Sequence, residues 1–121
     1  MIWRLSGASQ SGIPQEEEVL ISYLRSKDGK AKTIPVWFTV NEGKLELMPM
    51  YGLKTKWFAE VEKGGTIDLK IREWRRKASK PKILRDSKVI DDIKRRFSVK
   101  YGEGHVKRYY SSQDVALEIP L

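Results

Sequence analysis

Period-two alternation of apolar and polar residues organises most of the chain. EVLISYLR, Glu18 to Arg25, is an apolar, β-branched run that ends at SKDGKAK, where Asp28-Gly29 signals a hairpin turn. KTIPVWFTV follows, with Ile34, Val36, Phe38 and Val40 on one face and Pro35, Trp37 and Thr39 on the other. NEGK is the next turn, and KLELMPM is a third strand, with Leu45 and Leu47 opposing Met48 and Met50. TIDLKIREW resumes the pattern, with Ile67, Leu69 and Ile71 inward and Asp68, Lys70 and Arg72 outward. DVALEIPL closes the chain through Val115, Leu117 and Ile119.

Two stretches leave this period. In YGLKTKWFAEVEKGG, Trp57, Phe58 and Val61 fall at helical spacing, which predicts a helix over Lys54 to Glu62 that Gly64-Gly65 ends. DSKVIDDIKRRFSVKYG predicts a second helix, capped by Asp86 or Ser87, with Val89, Ile90, Ile93 and Phe97 as its apolar stripe. Lys94, Arg95 and Lys100 lie late in it, where the helix dipole favours cations, and Gly102 stops it. RRKASKPK between them reads as a basic loop, interrupted by Pro81.

The first three strands are joined by turns too short for parallel crossovers. The expected fold is therefore mainly β, a small antiparallel barrel of about six strands with one or two packed helices. Residues 1–121 read as a single domain, with 1–17 a loosely ordered arm whose Ile2 and Trp3 have the character to pack.

Composition narrows the chemistry. The absence of cysteine excludes a disulfide framework, a thiolate nucleophile and any cysteine zinc site. No signal-peptide pattern and no membrane-length apolar window occur, so a cytoplasmic protein is expected. The sole histidine, His105, reads as a solvent-facing loop residue, and no metal site is expected. No G-x-S-x-G, Walker or G-x-G-x-x-G motif is present, so any redox chemistry would come from a cofactor, and no catalytic side chain is assigned. The net charge of +8 favours anionic partners without choosing among them.

Two constellations suit an anion. Arg25, Lys27, Lys30 and Lys32 crowd the first hairpin beside Ser26, Gly29 and Thr33, so turn amides, hydroxyls and cations converge there as a phosphate requires. Taken one at a time, such lysines simply keep a hairpin soluble. In YGLKTKWF, Gly52 permits close backbone approach, and Lys54, Thr55 and Lys56 fall at a helix start, where lysine opposes the dipole unless an anion is near.

Taken together and in this order, the two constellations resemble the pyridoxamine 5′-phosphate oxidase-like flavin-binding split barrels, including the deazaflavin-dependent nitroreductases. GKAKTIP is similar to their G-K-x-R-x-x-P pattern, with Lys32 in place of arginine. LKTKWF is similar to their S-K-x-x-W-Y/F pattern, with Leu53 in place of the small polar residue. The resemblance spans Glu18 to Trp74. It implies a split barrel that binds FMN or a deazaflavin at a homodimer interface and passes hydride or electrons to a small acceptor. It also implies roles: Lys30, Lys32 and Thr33 on the cofactor phosphate, and Pro35, Val36 and Trp37 along the ring. Met50, Tyr51 and Gly52 would make backbone contacts, and Lys54, Thr55 and Lys56 would close on the phosphate. Lysine at 32 supplies a point charge where arginine would bind in two-pronged fashion. The competing reading is a basic β-barrel that binds nucleic acid through its charge and through Trp3, Trp37, Trp57 and Trp74, in the manner of single-strand binders. A third is a non-catalytic cofactor carrier on the same scaffold.

Overall fold

The computed structural model describes residues 17–110 and 114–121. The reading of 1–17 as an arm, with its Ile2 and Trp3, falls outside these residues except at Glu17. Seven strands form one sheet: β1 (Glu18–Leu24), β2 (Ala31–Asn41), β3 (Lys44–Leu47), β4 (Ile67–Ile71), β5 (Trp74–Ala78), β6 (Lys82–Leu84) and β7 (Ala116–Pro120). The helices are α1 (Lys56–Glu62), preceded by a 3₁₀ turn at Gly52–Lys54, then α2 (Ser87–Tyr101) and α3 (Glu103–Tyr109).

Every strand pair is antiparallel, in the order β5-β4-β1-β2-β3-β7-β6. Strands β5 and β6 lie at opposite ends of that order, yet only residues 79–81 join them. That link spans at most about 15 Å, so the sheet must curl until its ends approach. A hydrogen bond from Arg76 Nη1 to the Pro120 carbonyl (3.0 Å) ties β5 to β7 across the closure.

The mainly β split barrel is thus as expected. Its additional elements come from stretches whose signals are weak. TIDLKIREW is not one strand: the chain reverses at Arg72-Glu73 and pairs Ile71 with Trp74. Arg72 adopts φ 53°, a conformation seldom taken without glycine or asparagine, so the turn carries no compositional mark. The basic run RRKASKPK is not a loop either, because it supplies most of β5 and the start of β6. His105 is exposed as expected, but it sits on α3 and not in a loop. By contrast, the Asn41–Lys44 hairpin has the positive φ at Glu42 (49°) and Gly43 (74°) that a type I′ turn requires.

Two apolar clusters result. Alternation puts Val19, Ile21 and Tyr23 of β1 and Ile67, Leu69 and Ile71 of β4 inside the barrel, where Trp57, Phe58 and Val61 of α1 join them. Outside, Ile90, Ile93 and Phe97 of α2 and Val106 and Tyr110 from α3 and its end pack with Met48 and Ala116. Val89, assigned to the α2 stripe by periodicity, is exposed. Asp86 caps α2, accepting from the amides of Lys88 (2.8 Å) and Val89 (3.4 Å). Asp86→Ala is expected to lower the unfolding free energy by about 1 kcal/mol in a urea titration. An unchanged midpoint would remove the cap from the stability account. No helix among the described residues is long and apolar enough to cross a membrane.

Candidate functional site

Strand β2 changes partner midway. Ala31 to Trp37 pair with β1, whereas Phe38 to Asn41 pair with β3. The sheet therefore splits at Trp37/Phe38. Along residues 31–36 the edge of β2 turned away from β1 has no strand beside it among the described residues. This explains Pro35 in a strand at the middle of the sheet order: a residue without an N–H is tolerated where the ladder is one-sided.

The other half of the split is closed by side chains. The Tyr101 hydroxyl accepts from the Phe38 amide (3.0 Å) and reaches the Phe38 carbonyl (2.9 Å) and the Glu17 carbonyl. Lys100 donates to the same Phe38 carbonyl (2.8 Å), its ammonium 3.6 Å from the centre of the Phe38 ring. Much of Lys100 is exposed, but this dry contact pushes its pKa down to about 8, with the Glu17 carboxylate pulling partly back. Burial raises the Tyr101 and Tyr110 phenols well above the usual tyrosine range, so both remain neutral hydroxyls. The Trp37 indole stacks on Tyr101 at 4.1 Å and 9°, with Tyr109 and Tyr110 at 5.9 and 5.7 Å.

Behind this junction Glu46 is almost wholly buried. It accepts from Thr39 Oγ1 (2.7 Å), Arg96 Nε (2.8 Å) and Arg96 Nη2 (2.5 Å). Sequence reasoning missed Glu46, Arg96, Lys100 and Tyr101. A signal did exist, because Arg96, Lys100 and Tyr101 continue the apolar stripe of Ile93 and Phe97, a face where cations need partners.

The residues assigned to a cofactor divide by strand face. Thr33, Pro35 and Trp37 point to the outside of the barrel, and Val36 points inward, packed on the barrel core. Lys32 lies opposite Tyr23, on the inward side near the hairpin end. Lys30, Lys32, Thr33, Pro35, Lys54 and Lys56 are all exposed. Met50 and Tyr51 are exposed in the loop leaving β3, and Gly52, with φ 58°, is buried. Thr55 is buried too, and its hydroxyl accepts from the Tyr51 amide (2.9 Å), which fixes that loop. The hairpin tip docks on α1 through Ser26, which donates from both its amide and its hydroxyl to Glu60 Oε2 (3.2 Å each). That contact lies toward the far end of α1 from Lys54 and Lys56. Strand alternation thus places Val36 on the opposite face of β2 from Pro35 and Trp37. Among the described residues no cluster of His, Asp and Glu has metal-binding proximity.

The class these features define is a split β-barrel with an open-edged β2. The chain is similar in structure to one described as an F420-H2 dependent reductase, with a TM-score of 0.63 and 14% identity, covering 86% of this chain and 94% of that one. It is likewise similar to a structure described as a domain-swapped dimer, with a TM-score of 0.64 and 13% identity, covering 98% of this chain and 96% of that one. At these identities the likeness is one of fold. No protein-family model matches the chain, and no curated protein matches it in sequence.

Proposed function

We propose that this protein is a deazaflavin-dependent oxidoreductase that acts as a homodimer on a small acceptor. The observation that carries the reading is the fold shared, over nearly the whole chain, with an F420-H2 dependent reductase. The dimeric neighbour supports self-association. The sequence motifs run in the same direction, and of the two cofactors they suggest, the reductase neighbour favours the deazaflavin over FMN.

The residues present suit such a group. The one-sided edge of β2 at residues 31–36 leaves backbone groups available to a planar ring. Exposed Lys30, Lys32, Lys54 and Lys56 have the charge for a phosphate. In this reading Thr33, Pro35 and Trp37 border the ring on the outer face. Thr55 holds the loop of Met50, Tyr51 and Gly52 in place and does not itself meet the phosphate. When bound, the deazaflavin supplies the hydride chemistry. The chain binds, orients and screens it from water, and Tyr101 at the split keeps Trp37 in position.

Fluorescence titration with F420 tests this. Saturable micromolar binding is expected, weaker by about tenfold in each of the single variants Lys30→Gln and Lys32→Gln, one lost charge-assisted contact being worth ~1–2 kcal/mol. FMN should bind much more weakly. No saturation with F420 at high micromolar concentration would refute the proposal.

A further inference from the structure

The outer face of β1, β4 and β5 carries a groove of about 390 Å³ that the cofactor reading leaves unused; Ser22, Asp68, Lys70, Arg75 and Lys77 line it. Strand register builds it in two rows. In one, Lys77 lies opposite Asp68, Asp68 opposite Ser22, and Ser22 opposite Thr33. In the other, Arg75 lies opposite Lys70, Lys70 opposite Leu20, and Leu20 opposite Pro35. Helices α2 and α3 pack on the other half of the sheet, with Met48 and Ala116.

The second row is the anomaly. Lys70 and Arg75 are like charges at directly opposed positions, which destabilises an antiparallel pair. Both are exposed, and neither has an ion-pair partner among the described residues. Blunting of an edge strand accounts for Arg75 and Lys77 on β5. It does not account for Lys70, because β4 is flanked by β1 and β5. Asp68, the one carboxylate lining the groove among the described residues, is 4.0 Å from Lys77 and offsets that cation, not the Lys70–Arg75 pair.

An oxyanion between Lys70 and Arg75 turns this repulsion into charge-assisted hydrogen bonds, and arginine's fork suits a phosphate. The Ser22 hydroxyl, which lines the groove, adds a further hydrogen-bonding group. The groove volume lies at the small-ligand end of the pocket range. We propose that this groove binds the phosphate group of a small organic molecule, separately from the deazaflavin.

The test uses pyrophosphate and AMP as probes, titrated into the whole protein at low ionic strength and followed by amide chemical shifts. Saturable binding is expected, with the largest shifts at Ser22, Lys70 and Arg75. Lys70→Gln and Arg75→Gln should each weaken binding by about tenfold. Without ligand, each variant should melt at or above the wild-type temperature, because a repulsion has gone; a purely structural role would give lower melting. Wild type without saturation, or variants that bind as wild type does, would overturn the proposal. So would a single-stranded oligonucleotide that binds more tightly than AMP, since the site would then belong to a polymer. Neither variant should alter F420 binding, so this proposal and the cofactor reading fail on separate measurements.

Discussion

Arg96→Leu is expected to lower the unfolding free energy by about 3 kcal/mol. The reason is the carboxylate it would abandon. Glu46 sits on β3 beneath α2 with its side chain 2% exposed, and Arg96 grips it with two nearly parallel bonds. Hydrogen bonding to Glu46 raises the already high Arg96 pKa, so the guanidinium stays charged. Without Arg96, the Thr39 hydroxyl is the one donor left to the buried carboxyl group among the described residues. The reverse change, Glu46→Leu, should cost less. Arg96 is 28% exposed and also reaches Asp92 (3.4 Å), so its charge retains water and a partner. The check is urea unfolding of both variants at matched slope. The asymmetry is the diagnostic result: equal losses would mean that Glu46 is not the stranded partner. Replacing Thr39, Glu46 and Arg96 together by Val, Leu and Leu should recover most of the stability, since an apolar set of similar volume has no desolvation to offset.

Tyr101→Phe is the second large effect, expected at about 2 kcal/mol, and Tyr101→Ala at about 4 kcal/mol. The conservative change keeps the ring against Trp37 and removes only the hydroxyl. That hydroxyl serves the Phe38 amide and carbonyl where β2 changes partner, and Lys100 can cover the carbonyl but not the amide. The Phe38 amide would then be a half-buried donor without an acceptor, which is the costly outcome of losing a hydrogen bond. Amide hydrogen exchange reads this directly. Phe38 should lose protection in Tyr101→Phe more than Val19 or Leu45 do, and an unaltered Phe38 rate would sink the assignment of Tyr101 to the split. Tyr101→Ala additionally unstacks Trp37, so it should also weaken F420 binding if Trp37 borders the ring as proposed.

Both residues show how unevenly the chain announces itself. KLELMPM advertises Leu45 and Leu47 as core, and they are buried; Glu46 between them reads as the solvent side of an alternating strand. It is buried because α2 lies on that face, which no local pattern reveals. Likewise KTIPVWFTV was legible as a strand with two unlike faces, and Pro35 and Trp37 were legible as unusual occupants. What made Pro35 admissible was not legible: among the described residues β2 has a strand on one side only along residues 31–36. The cofactor motifs fared similarly. Alternation already separates Val36 from Pro35 and Trp37, and Lys32 from Thr33, while the burial of Thr55 and its bond to the Tyr51 amide come from the tertiary structure.

The sequence alone determined the first three antiparallel strands and the two hairpins that join them, α1, α2 with a cap at Asp86 or Ser87, and the small mainly β class. Each follows from interactions within a few residues: period-two or helical burial, turn residues that accept positive φ, and a capping carboxylate. The tertiary structure decided where the sheet splits, which face α2 covers, and therefore which polar residues are buried. Glu46 and Arg96 are 50 residues apart, and Phe38 and Tyr101 are 63. Their contacts exist only once the barrel has curled, and the energy of such a contact depends on the surrounding burial, a property that no single segment of chain possesses.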